Sequence, residues 1–76
     1  MQTNIFYTVE NTGWSGGVSW FECARGTRFY EESDARKAAT LTKNEHNDPD
    51  MLFRIVKHTH IHEENKHTHI EEFINV

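Results

Sequence analysis

Five of the six histidines in this chain of 76 residues fall between positions 58 and 69, at His58, His60, His62, His67 and His69. They come as two copies of one tetrapeptide, His58-Thr59-His60-Ile61 and His67-Thr68-His69-Ile70, and Glu71 follows the second copy. Neutral imidazole is a ligand for zinc, copper and nickel, and a carboxylate readily completes such a set. In an extended chain, a spacing of two keeps side chains on one face. The chemistry available to this stretch is therefore transition-metal binding, provided that the two copies are brought side by side.

A hairpin does this. Met51 to His62 and His67 to Val76 are predicted strands, joined by Glu63-Glu64-Asn65-Lys66, in which Asn65 tolerates the left-handed backbone of a tight turn. A turn at Glu64-Asn65 sets Glu63 opposite Lys66, His62 opposite His67, Ile61 opposite Thr68 and His60 opposite His69. Further out it sets Thr59 opposite Ile70, His58 opposite Glu71, Lys57 opposite Glu72, Val56 opposite Phe73 and Ile55 opposite Ile74. One face then carries Phe53, Ile55, Ile61, Ile70, Ile74 and Val76. The other carries all five histidines and Glu71, with Val56 and Phe73 nearer the far end. A slip of one residue would mix the two sets, so their separation favours this register. Facing side chains lie about 4.5–5.5 Å apart at Cβ, close enough for two or three to converge on an ion. The expected ligand set for zinc or another divalent transition metal is His58, His60, His69 and Glu71. This His-x-His and carboxylate spacing resembles the metal-binding strand of cupins and related β-barrel enzymes. The resemblance covers only those residues, and the chain is too short for the double-sheet barrel that closes a cupin pocket.

The same ladder has two other readings. An exposed sheet face accommodates histidine with no chemistry attached, and a histidine face also serves as a partner-binding or self-association surface. In every case protonation matters: six added positive charges would take the formal charge from −4 to +2. Binding through this face is expected to weaken below about pH 6, as the imidazoles repel one another.

The elements that carry the hairpin read as β-β-α-β-β. Asn4 to Glu10 alternates aromatic and β-branched residues and is a predicted strand. Thr12-Gly13-Trp14-Ser15-Gly16-Gly17 is a glycine-rich reversal, and Val18 to Arg25 a second strand. Alternation puts Ile5, Tyr7, Val9 and Trp20 in one set and Phe6, Phe21 and Cys23 in the other. Both faces are thus apolar, and one helix can cover only one of them. Ser33 is the expected helix N-cap, with Glu31, Glu32 and Asp34 at the positive end of the dipole. Ala35, Ala38, Ala39, Leu41 and Thr42 form the apolar stripe, and Asn47-Asp48-Pro49-Asp50 ends the helix. The expected fold is α+β: a single two-layer domain over residues 1–76, with one helix on a four-stranded, mostly antiparallel sheet.

Composition narrows the function. Eight Lys and Arg stand against twelve Asp and Glu, so no basic excess points to direct nucleic-acid binding. An apolar share of 36% and an aromatic share of 12% are too high for a disordered tail and too low for a membrane span. One cysteine, Cys23, excludes an internal disulfide and suits a reducing compartment. No signal-peptide pattern is expected at the N-terminus, and the expected location is cytoplasmic. The sequence holds no phosphate-cradling loop, nucleophile elbow or Cys-x-x-Cys pair, and nothing sets a base beside Cys23. A non-enzymatic protein without a resident cofactor is the expectation.

Short, acidic, with one cysteine and the order ββαββ, the whole chain resembles the small inhibitor proteins of bacteriophages and mobile elements, the anti-CRISPR and other anti-defence proteins among them. That resemblance implies direct contact with a host or defence protein in the host cytoplasm, blocking one of its surfaces. Trp14, in the glycine turn, is then a candidate anchor, since tryptophan is enriched in binding hot spots. Trp20, Phe21, His58, His60, His62, His67 and His69 complete the expected contacts, with acidic loops steering the approach. The alternatives are a histidine-rich metal-binding module, or a homodimer that holds a small ligand such as a nucleotide between protomers.

Overall fold

The computed structural model describes residues 1–13, 19–22 and 27–76, and in it four strands form one antiparallel sheet with a single helix. The strands are β1 (Gln2–Asn11), β2 (Phe21–Glu22), β3 (Phe53–Glu63) and β4 (Lys66–Asn75), and the helix α1 (Glu32–His46) lies between β2 and β3. The sheet order is β2-β1-β3-β4. This is the expected α+β, ββαββ arrangement. β3 is central and pairs along its length with both β1 and β4.

The β3–β4 hairpin has the register read from the pattern, pair for pair, from Glu63 opposite Lys66 to Ile55 opposite Ile74. Asn65 sits in the turn at φ 65°, a left-handed conformation that asparagine tolerates better than most residues. β1 runs antiparallel on the other side of β3, with Gln2 opposite His62 and Asn11 opposite Phe53. Gly13, at φ 53°, opens the turn after β1, and its amide donates to the Asn11 side chain at 2.8 Å. Phe29 returns to the outer edge of β1, where it exchanges two backbone hydrogen bonds with Tyr7 of 2.7 and 2.9 Å.

Helix α1 packs on one end of the sheet. Ala35 and Ala39 are fully buried against Val9 and Ile55, and Tyr7, Phe29, Ala38, Phe53 and Ile74 close the cluster. Alanine at the contact lets the helix backbone approach the sheet. Leu41 departs from the expected stripe: at 63% exposure it faces solvent, because two positions past Ala39 is about 200° around the helix. The cap also differs from expectation. Glu31, extended and without a side-chain cap, precedes the first turn, and its carbonyl accepts from the Asp34 and Ala35 amides. Ser33 therefore lies inside the first turn. At the other end Asn47 stops the helix in a left-handed conformation at φ 47°, its amide donating to the Lys43 carbonyl, one residue before Asp48 and its proline neighbour.

Trp20 and Phe21 exchange sides relative to the alternation sets. Phe21 stands opposite Asn11, and Glu22 opposite Glu10. Phe21 thus shares the side of Val9, while Trp20 lies against Arg54 on the side of Glu10. Alternation alone leaves the register of a hairpin open, and a one-residue slip swaps every side chain. Trp14 to Val18 and Cys23 to Arg25, named in the sequence reading, lie outside the described residues.

Candidate functional site

The face opposite the helix carries the chemistry. Along β3 it presents Arg54, Val56, His58, His60 and His62. β1 sets Glu10, Thr8, Phe6, Asn4 and Gln2 beside them, and β4 sets Asn75, Phe73, Glu71, His69 and His67.

The imidazoles stack as a continuous zipper. Ring centroids are 4.4 Å apart for His62 and His67, 5.1 Å for His67 and His60, 4.1 Å for His60 and His69, and 5.4 Å for His69 and His58. Phe6 continues the stack at 4.7 Å from His58, and the Arg28 guanidinium lies 4.4 Å from the Phe6 ring centre. Two diagonal hydrogen bonds tie the strands: His58 Nδ1 to His69 Nε2 at 3.1 Å, and His60 Nδ1 to His67 Nε2 at 2.9 Å. A third runs into the sheet, from His58 Nε2 to the hydroxyl of the buried Thr8 at 2.9 Å.

Such packing favours neutral rings. The pKa of His58 is lowered from the ordinary histidine value, chiefly because burial penalises the charged ring, with His69 adding to the effect and Glu71, Glu10 and Glu22 opposing it. That of His60 is lowered by desolvation first and then by the four histidines around it.

Beyond the zipper, Arg54 lies between two aromatic rings of this face. Its guanidinium lies 4.0 Å from the Trp20 ring centre and 4.1 Å from that of Phe73, and it is held by Glu10 at 2.7 and 2.8 Å. Val56 is buried on this face, between Thr8 of β1 and Phe73 of β4 and two residues along β3 from Arg54.

The structure brings His58, His69 and Glu71 together. His58 Nδ1 is 3.9 Å and His69 Nε2 3.7 Å from the same oxygen, Glu71 Oε1. His60, the fourth expected ligand, is turned to His67 instead, because the diagonal pairing engages its Nδ1. His62 and His67 end the zipper as exposed residues. Phe21 lies on the helix side, 55% exposed.

Thr8, Phe6, Arg28, Arg54 and Phe73 belong to this surface and were not among the contacts expected from the sequence. A signal existed for Phe73, which the hairpin register sets on the histidine face. None existed for Thr8 and Phe6, whose neighbours depend on the pairing of β1 with a strand some fifty residues away. No protein-family model, curated protein or solved structure matches the chain. Among the described residues no helix is long and apolar enough to cross a membrane.

Proposed function

We propose that this chain is a non-catalytic binding protein that docks a partner protein through its open sheet face, acting as a phage-type inhibitor of a host or defence protein in the host cytoplasm. The observation that carries the reading is the make-up of that face. Phe73 is 57% exposed at the outer strand, beside the Arg54–Trp20 stack, and both lie on the same side as the zipper of stacked imidazoles. Aromatic residues and arginine around a desolvated centre are the usual composition of binding hot spots. The formal charge of −4 favours approach to a basic surface, such as one that otherwise holds nucleic acid.

The test is capture from host lysate with the wild-type chain and with Phe73→Ala and His62→Ala in parallel, each checked for fold by circular dichroism. A protein retained by the wild type and released by the open-face variants supports the proposal. Retention that all three share equally, or no retained protein, overturns it.

A homodimer is favoured by one separate observation. β4 is an edge strand of ten residues, paired with β3 alone among the described strands, and Ile70 and Val76 are exposed on it or next to it. An exposed strand edge of this length is a template for pairing with a second copy. Light scattering at micromolar concentration is expected to show a dimer that Ile70→Lys disperses, and a monomeric wild type would remove this reading.

A further inference from the structure

We infer that His58, His69 and Glu71 form a three-ligand site for a divalent transition metal ion of the zinc class. Among the described residues this is the one cluster of three such donors. The three facing atoms, His58 Nδ1, His69 Nε2 and Glu71 Oε1, stand 3.1, 3.7 and 3.9 Å apart. Tetrahedral zinc, with bonds of about 2.0–2.1 Å, sets its donors about 3.3 Å apart. Adjustments of a few tenths of an ångström in three side chains close that difference, and the strand backbones can stay where they are.

The geometry behind the ligands fits as well. Imidazole ligands almost always donate their second N–H to a fixed acceptor, which sets the tautomer and aims the free lone pair. The Thr8 hydroxyl, 2.9 Å from His58 Nε2 and buried in the sheet, is placed to act as such an acceptor when His58 carries its proton on Nε2. With the proton of His58 on Nε2, its Nδ1 lone pair points at His69 and Glu71. With the proton of His69 on Nδ1 as well, both ligating nitrogens are free, and the metal ion takes the place of the hydrogen bond between them. Two nitrogens and one carboxylate select zinc, copper or nickel over magnesium and calcium, which require oxygen donors. Three protein ligands leave one position of a tetrahedron for an outside donor, and Glu71 and His69 border solvent there.

The rest of the ladder supplies the control. His60 and His67 make the same diagonal pair at 2.9 Å but have no carboxylate beside them. A merely histidine-rich surface would bind metal through every ring, whereas this site binds through three named groups.

The experiment is calorimetric titration of the chain, purified without a histidine tag, with Zn²⁺, Co²⁺ and Mg²⁺ in turn. One equivalent of Zn²⁺ or Co²⁺ and no Mg²⁺ is the expected result. His69→Ala and Glu71→Gln are each expected to lose more affinity than the ~10–100-fold that an outer-shell partner is worth, while His62→Ala binds as the wild type does. Circular dichroism on each variant verifies the fold. Failure to saturate at one equivalent overturns the site, as does an equal loss in His62→Ala and His69→Ala. The partner-docking proposal is tested separately, by repeating the lysate capture in chelator, so each can fail without the other.

Discussion

Replacing Thr8 by valine isolates the support behind the proposed metal ligands without touching them. The side chain is 3% exposed, and valine fills nearly the same space, so the change removes a hydroxyl and little else. Its bond to His58 Nε2 is between neutral groups, worth about 0.5–1.5 kcal/mol net. A chain of this length has roughly 4–11 kcal/mol of total stability at ~0.05–0.15 kcal/mol per residue, so the variant stays folded. Its Tm, measured in chelator, is expected to fall by about 4–8 °C for each kcal/mol lost. The larger effect belongs to metal affinity. Without the hydroxyl, His58 has no acceptor holding its proton on Nε2, and its ring is free to swing off the Phe6 stack. Zn²⁺ affinity is expected to drop by ~10–100-fold in Thr8→Val, the range found for outer-shell partners of ligating imidazoles.

Thr8→Ser keeps the hydroxyl and loses the methyl group, so it separates the hydrogen bond from packing. Competition titration against a chelator of known affinity reads all three proteins on one scale. Serine is expected to restore most of the affinity while recovering little of any packing loss. The reasoning fails if Thr8→Val binds Zn²⁺ within about 2-fold of wild type, well short of the outer-shell range. It fails equally if serine and valine weaken binding alike, since the hydroxyl would then not be the cause.

Other perturbations address the ladder and the fold beneath it. His58 and His60 have lowered pKa values in the folded chain, so the unfolded chain binds more protons as pH falls through about 6.5, and stability rises with pH there. Metal-free protein is therefore expected to melt progressively lower as pH falls from about 7.5 to 5.5, through imidazole charges that Glu71, Glu10 and Glu22 only partly offset; a flat or rising Tm would contradict the neutral zipper. Ile55→Ala, at a fully buried position of the central strand, is expected to cost about 2–5 kcal/mol by urea unfolding, and a cost under about 1 kcal/mol would mean that α1 does not seal this core. Arg54→Lys keeps the charge but loses the planar stack between Trp20 and Phe73, and is expected to lower stability by about 1 kcal/mol, with no change counting against the stack.

The sequence made the β3–β4 hairpin legible for a physical reason. Its turn is local, its period is two, and isoleucines and histidines occupy opposite phases, so one register alone separates them. The grouping of His58, His69 and Glu71 followed from that register, while His60, expected with them, pairs with His67 instead. Both His58 and His60 have a diagonal partner on β4, but Glu71 faces only the former, and sequence spacing does not say which way a ring leans. The Trp20 and Phe21 assignment failed because a turn of uncertain length sets the parity of β2. Thr8 lay beyond reach altogether, since nothing local links a threonine of β1 to a histidine fifty positions away. Capping failed more quietly. Ser33 is the better cap residue by chemistry, but the Glu31 carbonyl already accepts the Asp34 and Ala35 amides, so the first turn closes around Ser33 rather than after it.

Why the face should be built of stacked rings follows from the dimensions of the two layers. A helix of 15 residues spans about 22 Å, whereas β3, with 11 residues, spans about 37 Å. The helix lies over Val9 and Ile55, so the hairpin end extends past it. Ile5 and Ile70 flank Thr59 there on the helix side, and they remain 41% and 43% exposed. With no helix to press the strands together, cross-strand side-chain pairs must hold that end in register. Stacked, hydrogen-bonded imidazoles do so without a buried core and without burying charge. The same economy makes the projecting end adaptable: a metal ion across β3 and β4 would tighten it at His58, His69 and Glu71, and a partner that grips it meets rings on one side and isoleucines on the other.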